Sequence, residues 1–205
     1  MKRAEFLKTI TPFVPVGTPE TIIDWVEKHR MQLSIKNDRK TKLGDFRGAL
    51  RAGEVHKISI NGGLNPFEFL ITLIHEFAHL VVFEQYGRKA QAHGPEWKRA
   101  YQQLIIPYFE LNAFPEPLRS VFLKHMRNPK ASSHGDLKMV RVLALYDTAD
   151  NTKITYLESL DEGAHFELNG KVFIKGEKRR TRFMCKEVIT HKLFTVSALA
   201  EVSEI

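Results

Sequence analysis

A long apolar stretch at residues 71–84, ITLIHEFAHLVVFE, predicts a helix that is buried on nearly every side. His75, Glu76 and His79 are polar residues in the middle of this stretch, and polar side chains in a core need a partner or a function. Because positions i and i+4 lie above one another on a helix, His75 and His79 can direct their imidazoles to one point. Two imidazoles on one face make half of a tetrahedral zinc site.

Apolar periodicity and local start signals predict further helices and strands around this stretch. Thr18 followed by Pro19 is typical of a helix start, and Gly87 is typical of the position just after a helix end. The predicted helices cover residues 18–30, 67–86, 95–108 and 115–128, and the predicted strands cover residues 32–36, 43–47 and 55–60. We therefore expect an α+β fold in which a helical domain contains a short antiparallel sheet. The strand at 55–60 is expected at the exposed edge of the sheet, where a substrate peptide can pair with it.

The pattern changes after residue 128. Residues 129–136 are rich in small and turn-forming residues, which indicates a linker. Asn169-Gly170 predicts a tight hairpin turn. Strands are predicted at residues 137–146, 153–158, 165–168, 171–174, 181–187 and 193–196. The expected organisation is a first domain at 1–128, a linker at 129–136 and a small all-β module at 137–205.

Composition and charge limit the class of protein. The chain of 205 residues is 43% apolar and 27% charged, which is typical of a soluble globular protein and excludes a disordered one. The net charge of +7 and the pI of about 9.5 indicate either a nucleic-acid partner or a lysine-rich surface exposed to solvent. Cys185 is the one cysteine, which excludes a disulfide framework and a zinc ribbon of cysteine pairs, and it is interpreted as a core residue.

No segment is expected to cross a membrane, because none approaches the uninterrupted apolar length that a bilayer requires. Residues 6–16 contain Lys8 and two prolines, so they do not have the apolar region of a signal peptide. We expect a cytoplasmic protein. If it binds DNA, it is also expected at the nucleoid.

A catalytic zinc site needs a third protein ligand besides His75 and His79, with one position left for water. A metzincin has glycine and histidine at the positions that here are 82 and 85, but this chain has valine and glutamine there. Spacing leaves two alternatives: a glutamate of the next helix, Glu96 or Glu110, or His93 in the loop before that helix. The His-Glu-x-x-His pattern also arises by chance, and a loop histidine is often simply exposed to solvent.

The residues around these positions resemble a known family. Residues 71–79, followed by His93-Gly94-Pro95-Glu96-Trp97, look like the SprT-like zinc metalloproteases, the group that includes Spartan. Residues 43–46 and 57–61 occupy the place of the short sheet of that family. The resemblance covers about residues 18–128.

The resemblance implies a zincin-like domain in which His75, His79 and His93 bind one zinc ion and Glu76 is the general base. It also implies hydrolysis of proteins that are bound on DNA or crosslinked to it. Many members continue with a zinc ribbon of cysteines, and this chain departs from them because it has Cys185 alone.

The function expected from these residues is that of a zinc-dependent endopeptidase, in which Glu76 takes a proton from a water molecule activated by the metal. One alternative is a zinc-containing adaptor without activity that binds DNA or protein, and another is a zinc peptidase with no role on nucleic acid. An intact Glu76 favours an enzyme, because a purely structural zinc site has no use for that carboxylate. The side chains to consider around the site are Tyr86, Arg88 and Tyr101 as oxyanion donors, and Glu84 and Glu96 as partners of the zinc-binding imidazoles.

A basic run near the C-terminus provides the candidate nucleic-acid contacts. These are Lys175, Lys178, Arg179, Arg180 and Arg182, whose charges are suited to phosphates. Such a run is also typical of a solvated strand edge. Acidic residues in the same module leave its overall charge only weakly basic.

Overall fold

The computed structural model describes residues 3–37, 42–51, 53–130, 136–147 and 155–205. The chain forms two compact units, Met1–Asp147 and Thr148–Ile205. The first unit combines helices with a three-stranded sheet, and the second is built on a six-stranded antiparallel sheet. The expected α+β class is confirmed.

The elements of the first unit follow the predicted order from residue 18 to residue 128. An N-terminal helix that the sequence did not predict precedes them, and short 3-10 turns lie at Thr11–Phe13 and Gly87–Lys89. The elements are α1 (Arg3–Ile10), α2 (Pro19–Lys28), β1 (Met31–Lys36), β2 (Gly44–Arg47), β3 (His56–Asn61), α3 (Pro66–Tyr86), α4 (Pro95–Glu110), α5 (Leu118–Met126) and α6 (Leu137–Ala144).

Helix α3 lies at the centre of the first unit. Its start is fixed locally, because the Asn65 side chain accepts a hydrogen bond from the Glu68 N–H at 3.0 Å and Pro66 occupies the first helical position. It ends at Gly87, which adopts a positive φ of 62°. The Phe77 ring of α3 stacks on Trp25 of α2 at 4.2 Å between ring centroids. This helix therefore brings the residues around His75 into the apolar core.

Contrary to the expectation from the sequence, the segment Pro66–Lys89 is long and apolar enough to cross a membrane by length and composition. Within the fold, 61% of its most apolar window is buried against the other elements of the unit. A core helix of a globular unit has the same composition, because it is enclosed by apolar neighbours on most sides.

The three-stranded sheet has the order β1-β3-β2, and it corrects two expectations. β1 pairs with β3 in parallel, whereas β2 pairs with β3 antiparallel, so the sheet is mixed. β3 is the central strand, so the prediction that residues 55–60 form the exposed edge is wrong. Alternation along a strand indicates which side chains share a face, but it carries no information on which strands are neighbours.

The region after α5 also differs from the prediction. Residues 137–146 were expected to be a strand, but Leu137–Ala144 is a helix, in which Met139, Val142 and Leu143 are buried at helical spacing. Asp136 caps it by accepting the Lys138 N–H at 3.1 Å. Asp136 also lies 3.0 Å from Nδ1 of His125 on α5. The first unit therefore extends to Asp147, beyond the predicted boundary at residue 128; residues 131–135 of the predicted linker lie outside the described residues.

The second unit is an antiparallel sheet with the order β4-β9-β5-β6-β7-β8. Asn169 and Gly170 both have positive φ, 53° and 75°, which confirms the predicted hairpin between β5 and β6. Cys185 is fully buried in its core, as interpreted from the sequence. The strand β9 was not predicted, and residues 153 and 154 of the strand predicted at 153–158 lie outside the described residues. The strands are β4 (Thr155–Tyr156), β5 (His165–Leu168), β6 (Lys171–Arg179), β7 (Arg182–Glu187), β8 (Leu193–Ser197) and β9 (Glu201–Glu204).

Candidate metal centre

Three histidine side chains converge at one point beside α3. His75 and His79 lie one turn apart on this helix, and His93 lies in the loop before α4. The Nε2 atoms of His75 and His79 are 3.3 Å apart, those of His79 and His93 are 3.0 Å apart, and those of His93 and His75 are 3.2 Å apart. The three half-buried side chains form a group that could hold a metal ion.

The size of this nitrogen triangle fits a tetrahedral metal ion. With metal–nitrogen bonds of about 2.0–2.1 Å and tetrahedral angles, the ligand nitrogens of a zinc site are about 3.3 Å apart. The observed separations of 3.0–3.3 Å come within a few tenths of an ångström of that value. Three neutral imidazoles that direct Nε2 lone pairs to one point repel one another, and a cation between them removes that repulsion. The residues present therefore fit an ion with three protein ligands and one open position.

Electrostatics keep these imidazoles in the form that binds metals. Burial, followed by the proximity of His79 and His93, lowers the pKa of His75 to about 3. Burial and the nearby His93 lower the pKa of His79 to about 4, and burial lowers the pKa of His93. All three rings are consequently neutral at pH 7, and neutral imidazole is the metal-binding species.

A tight turn brings His93 to the other two histidines. The Gly94 N–H donates to the Gln91 carbonyl at 3.0 Å and closes the turn, in which His93 has a positive φ of 57°. Histidine adopts this left-handed region more readily than most residues. A Cβ at Gly94 would lie 3.0 Å from the Gln91 carbonyl oxygen, so glycine at this position leaves room for the turn. Pro95 then begins α4.

The Trp97 ring packs against the rings of all three histidines, a role that was not predicted from the sequence. Its side chain is fully buried, and its ring centroid lies 4.7 Å from that of His75, 5.5 Å from that of His79 and 4.8 Å from that of His93. Its Nε1–H donates to the His75 carbonyl at 3.3 Å. One rigid side chain thus restricts the orientation of all three rings.

Glu76 lies next to His75 on α3 and is 9% exposed. Strand β2 packs directly against it: a Cβ at Gly44 would lie 2.7 Å from both Cγ and Oε1 of Glu76, and 2.8 Å from the Thr72 methyl group. Only glycine permits this approach, so β2 restricts where the carboxylate can move. Gly44 lies near the start of a strand predicted from the sequence, where no role was expected for it, although a glycine in a strand is a signal of close backbone approach.

Comparison with known proteins agrees with this geometry. Residues 19–113 match the model of the SprT-like family. This segment is called the SprT-like domain because of that similarity. Curated proteins named Protein SprT from Salmonella newport (strain SL254) and Salmonella enteritidis PT4 (strain P125109) are each 33% identical to this chain over an alignment of 106 residues; the alignment covers 46% of the chain and 64% of each relative. The chain therefore spans less than two thirds of the length of these relatives, and no solved structure gives a significant match.

Within the SprT-like domain, Glu84 does not accompany the three converging histidines. Its Oε2 lies 2.7 Å from Nδ1 of His29 at the C-terminal end of α2, and its Oε1 lies 3.6 Å from Nε2 of His56 on β3. The Ala49 N–H donates to Nδ1 of His56 at 3.1 Å, which leaves the proton of the neutral ring on Nε2, facing Glu84. Glu84 therefore connects three elements of the fold.

The two glutamates considered as alternative metal ligands, Glu96 and Glu110, are not members of the histidine group. Glu96 lies 3.6 Å from Arg99, and Glu110 is the last residue of α4, about 22 Å along the helix from its start. The group that could hold a metal within the described ranges contains the three histidines and no carboxylate.

The tyrosines considered as oxyanion donors have different surroundings. The Tyr101 hydroxyl is buried and donates to the Ile71 carbonyl at 3.5 Å, so it is already engaged, and burial raises its pKa. Tyr86 is partly exposed and lines an open pocket of about 420 Å³, together with Gln91 and Glu96 from either side of His93.

The candidate nucleic-acid contacts lie outside the SprT-like domain, and Lys175 is not on the surface. It is 4% exposed, its ammonium group donates to the Glu158 carbonyl at 3.3 Å and to the Leu160 carbonyl, and it lies 4.1 Å from the Phe183 ring centroid. Side chains alternate along a strand, so Lys175 shares the core face of β6 with Phe173. The prediction of Lys175 as a surface contact is wrong.

The other members of the basic run are exposed. Arg179 donates through Nε to Glu177 at 2.9 Å, and Arg182 donates to the Thr195 carbonyl at 3.4 Å. Lys178 and Arg180 lie at the exposed end of the β6–β7 hairpin. Their contact with nucleic acid stays a prediction.

Proposed function

We propose that this chain is a zinc-dependent endopeptidase that hydrolyses proteins bound on DNA or crosslinked to it, and that its SprT-like domain is zincin-like. The observation that carries the proposal is the convergence of three Nε2 atoms within 3.3 Å of one another on the helix that also carries Glu76. A structural zinc site uses four protein ligands, whereas three ligands leave one position for water or substrate.

Zinc is the ion that suits this ligand set best, because imidazole nitrogens at tetrahedral spacing are typical of catalytic zinc sites. When bound, zinc activates a water molecule and polarises the carbonyl of the scissile peptide bond. His75, His79 and His93 would hold the ion, and Trp97 would keep their rings in position.

Glu76 supplies the proton chemistry. Its carboxylate accepts the proton of the attacking water and passes it to the leaving amine. The close packing of Gly44 holds this carboxylate in place, and a general base must be held in place to be effective. The low exposure of Glu76 also limits competing contacts with bulk water.

Substrate binding is expected along β2. β2 is an edge strand of the sheet and touches Glu76 through Gly44, so a peptide that pairs with its free edge runs past the carboxylate. The pocket lined by Tyr86, Gln91 and Glu96 lies at the turn that carries His93 and offers about 420 Å³ for a substrate side chain.

The test is metal analysis of the purified protein and of its Glu76→Gln variant, with casein cleavage measured in the presence and absence of duplex DNA. We expect one zinc per chain in both proteins and a loss of cleavage of at least about 100-fold in the variant. Equal cleavage by both proteins would remove Glu76 from the mechanism.

The same assay separates the alternatives. A wild-type protein that contains zinc but cleaves nothing, with or without DNA, would indicate the adaptor. Cleavage that DNA neither stimulates nor redirects would indicate a zinc peptidase without a role on nucleic acid.

A further inference from the structure

The positive charge of this chain is divided unevenly between its two units. Residues 1–147 contain 22 Lys and Arg and 15 Asp and Glu, which gives a net charge of +7. Residues 148–205 contain nine of each and are neutral overall. The excess that suggested a polyanionic partner therefore belongs to the first unit, whereas the basic run at residues 175–182 lies in the neutral second unit.

One face of the three-stranded sheet concentrates cationic side chains. Leu33, Ile58 and Phe46 occupy paired positions on the three strands and face the core, so the residues that alternate with them face outward. The outward residues and one from the preceding loop line a shallow groove of about 260 Å³, and all of them are polar or charged: Ser34, Lys36, Lys42, Asp45, Arg47, Lys57 and Ser59.

The charges on this face do not cancel. Asp45 is its one acid and accepts from Lys42 at 3.2 Å and from Nε of Arg47 at 3.1 Å. Burial raises the pKa of Asp45, but the contacts with Lys42 and Arg47 outweigh it and hold that pKa below its usual value. Four cations and one anion leave a net charge of +3. The side chains of Lys42 and Arg47 remain 59% and 77% exposed despite their contacts with Asp45, and Lys36 and Lys57 are exposed.

We propose that this face, defined by Lys36, Lys42, Arg47 and Lys57, binds the phosphate backbone of duplex DNA. Lysine, arginine and serine hydroxyl groups are the usual donors to phosphate oxygens. Residues two apart on a strand are about 6.6 Å apart, which places the cations in a fixed array on a rigid sheet. Contacts of this kind bind without regard to base sequence and weaken as salt concentration rises.

The composition of the face distinguishes duplex DNA from other polyanions. Single-stranded nucleic acid is held by aromatic side chains on which bases stack, and a membrane-binding surface inserts apolar side chains. The lining residues include neither type. A flexible acidic peptide loses conformational entropy when it is ordered on a rigid array, whereas a duplex is already ordered.

The choice of DNA rests on the proposed function, but the test does not depend on hydrolysis. Binding of the full chain to a fluorescein-labelled 25-base-pair duplex is measured by anisotropy over a range of salt concentrations, for the wild type and for the double variant Lys36→Gln/Lys57→Gln. Both lysines are exposed, so the fold should be kept. We expect binding about tenfold weaker near 0.1 M salt, and a dependence of log K on log salt that is shallower by about 2.

The matched control is Lys178→Gln/Arg180→Gln in the second unit, which removes the same charge from the candidate contacts at the β6–β7 hairpin. The proposal requires that this control keeps the wild-type salt dependence. An equal loss in both double variants would indicate a general effect of net charge, and a loss in the control alone would assign binding to the hairpin; either result overturns the proposal.

Two further measurements complete the design. Glu76→Gln should bind DNA like the wild type, so failure of the peptidase proposal does not remove the DNA site. Vesicles with 30% anionic phospholipid and a poly-glutamate peptide are tested beside the duplex. If Lys36→Gln/Lys57→Gln loses affinity for either of these while duplex binding stays unchanged, the face binds that polyanion and the DNA assignment is wrong.

Discussion

Two clusters of histidine and glutamate lie along the same helix, α3, and they differ in how their polar atoms face one another. In the metal cluster, His75, His79 and His93 direct three Nε2 atoms to one point, with Glu76 beside them on the helix. In the second cluster, Glu84 lies between His29 and His56, with each histidine facing one of its oxygens.

The difference shows what each arrangement can do. Acceptor atoms that converge on a shared point suit a cation, whereas a carboxylate that is hydrogen-bonded to one histidine and faces a second already has partners within the protein. The first arrangement fits a metal site and the second fits a structural link between α2, β3 and α3. Residue types alone do not separate the two, because both clusters combine histidines with a glutamate of α3.

The largest expected effect is the loss of metal when one of the three imidazoles is removed. His93→Ala should lower zinc content from about one ion per chain to a small fraction, because two histidines one turn apart are an incomplete site. Metal analysis after dialysis measures this. Glu96→Ala is the control and should keep its zinc, and the reverse result would make Glu96 the third ligand.

The next effect concerns the Glu76 carboxylate, against which Gly44 of β2 packs. Gly44→Ala places a methyl group 2.7 Å from both Oε1 and Cγ of Glu76, which is too close for a contact, so the carboxylate must move. We expect peptidase activity to fall about 100-fold with zinc content unchanged, since a displacement of about 1 Å has effects of that size.

Gly163→Ala is the control for the previous substitution. Gly163 has a positive φ of 87°, so alanine adds backbone strain there without meeting another atom. It should lower stability and leave activity unchanged. If Gly44→Ala behaves in the same way, the contact between β2 and Glu76 has no catalytic role.

A third effect is the loss of stability of the metal-free protein in acid, which we expect His75 and His79 of the metal cluster to cause. The pKa values of His75 and His79 are lowered in the folded protein to about 3 and about 4, from about 6.5 in the unfolded chain. The unfolded state therefore binds more protons as pH falls below 6.5, and the metal-free protein loses stability down to about pH 3. Urea unfolding at pH 7 and pH 5 measures this, and His75→Asn/His79→Asn should reduce the difference. A difference that the double variant leaves intact would mean that these rings do not cause it.

The smallest expected effect is that of breaking the second cluster. Glu84→Gln replaces the carboxylate between His29 and His56 by a neutral amide, and we expect the free energy of unfolding to fall by about 1–2 kcal/mol. Zinc content should not change. Loss of zinc without loss of stability would show that Glu84 acts on the metal cluster after all.

The histidines of the metal cluster could largely be predicted from the sequence, whereas the residues that pack against the cluster could not. The apolar stretch around His75 and His79 indicated a buried helix with two imidazoles on one face, because helix periodicity is expressed within a few residues. Spacing left His93 and two glutamates as alternatives for the third ligand, and the family resemblance pointed to His93. The roles of Trp97 and Gly44 depend on contacts between elements that are far apart in sequence.

The sequence alone determined the local features of this protein: the start of α3 at Asn65-Pro66, its end at Gly87, the hairpin at Asn169-Gly170 and the spacing of two histidines. Each of these depends on backbone preferences or periodicity over a few neighbouring residues. Only the tertiary structure decided the strand order with β3 at the centre, the helical state of residues 137–144 and the burial of Lys175. These features depend on which surfaces pack together, and packing is a property of the whole chain that no short stretch encodes.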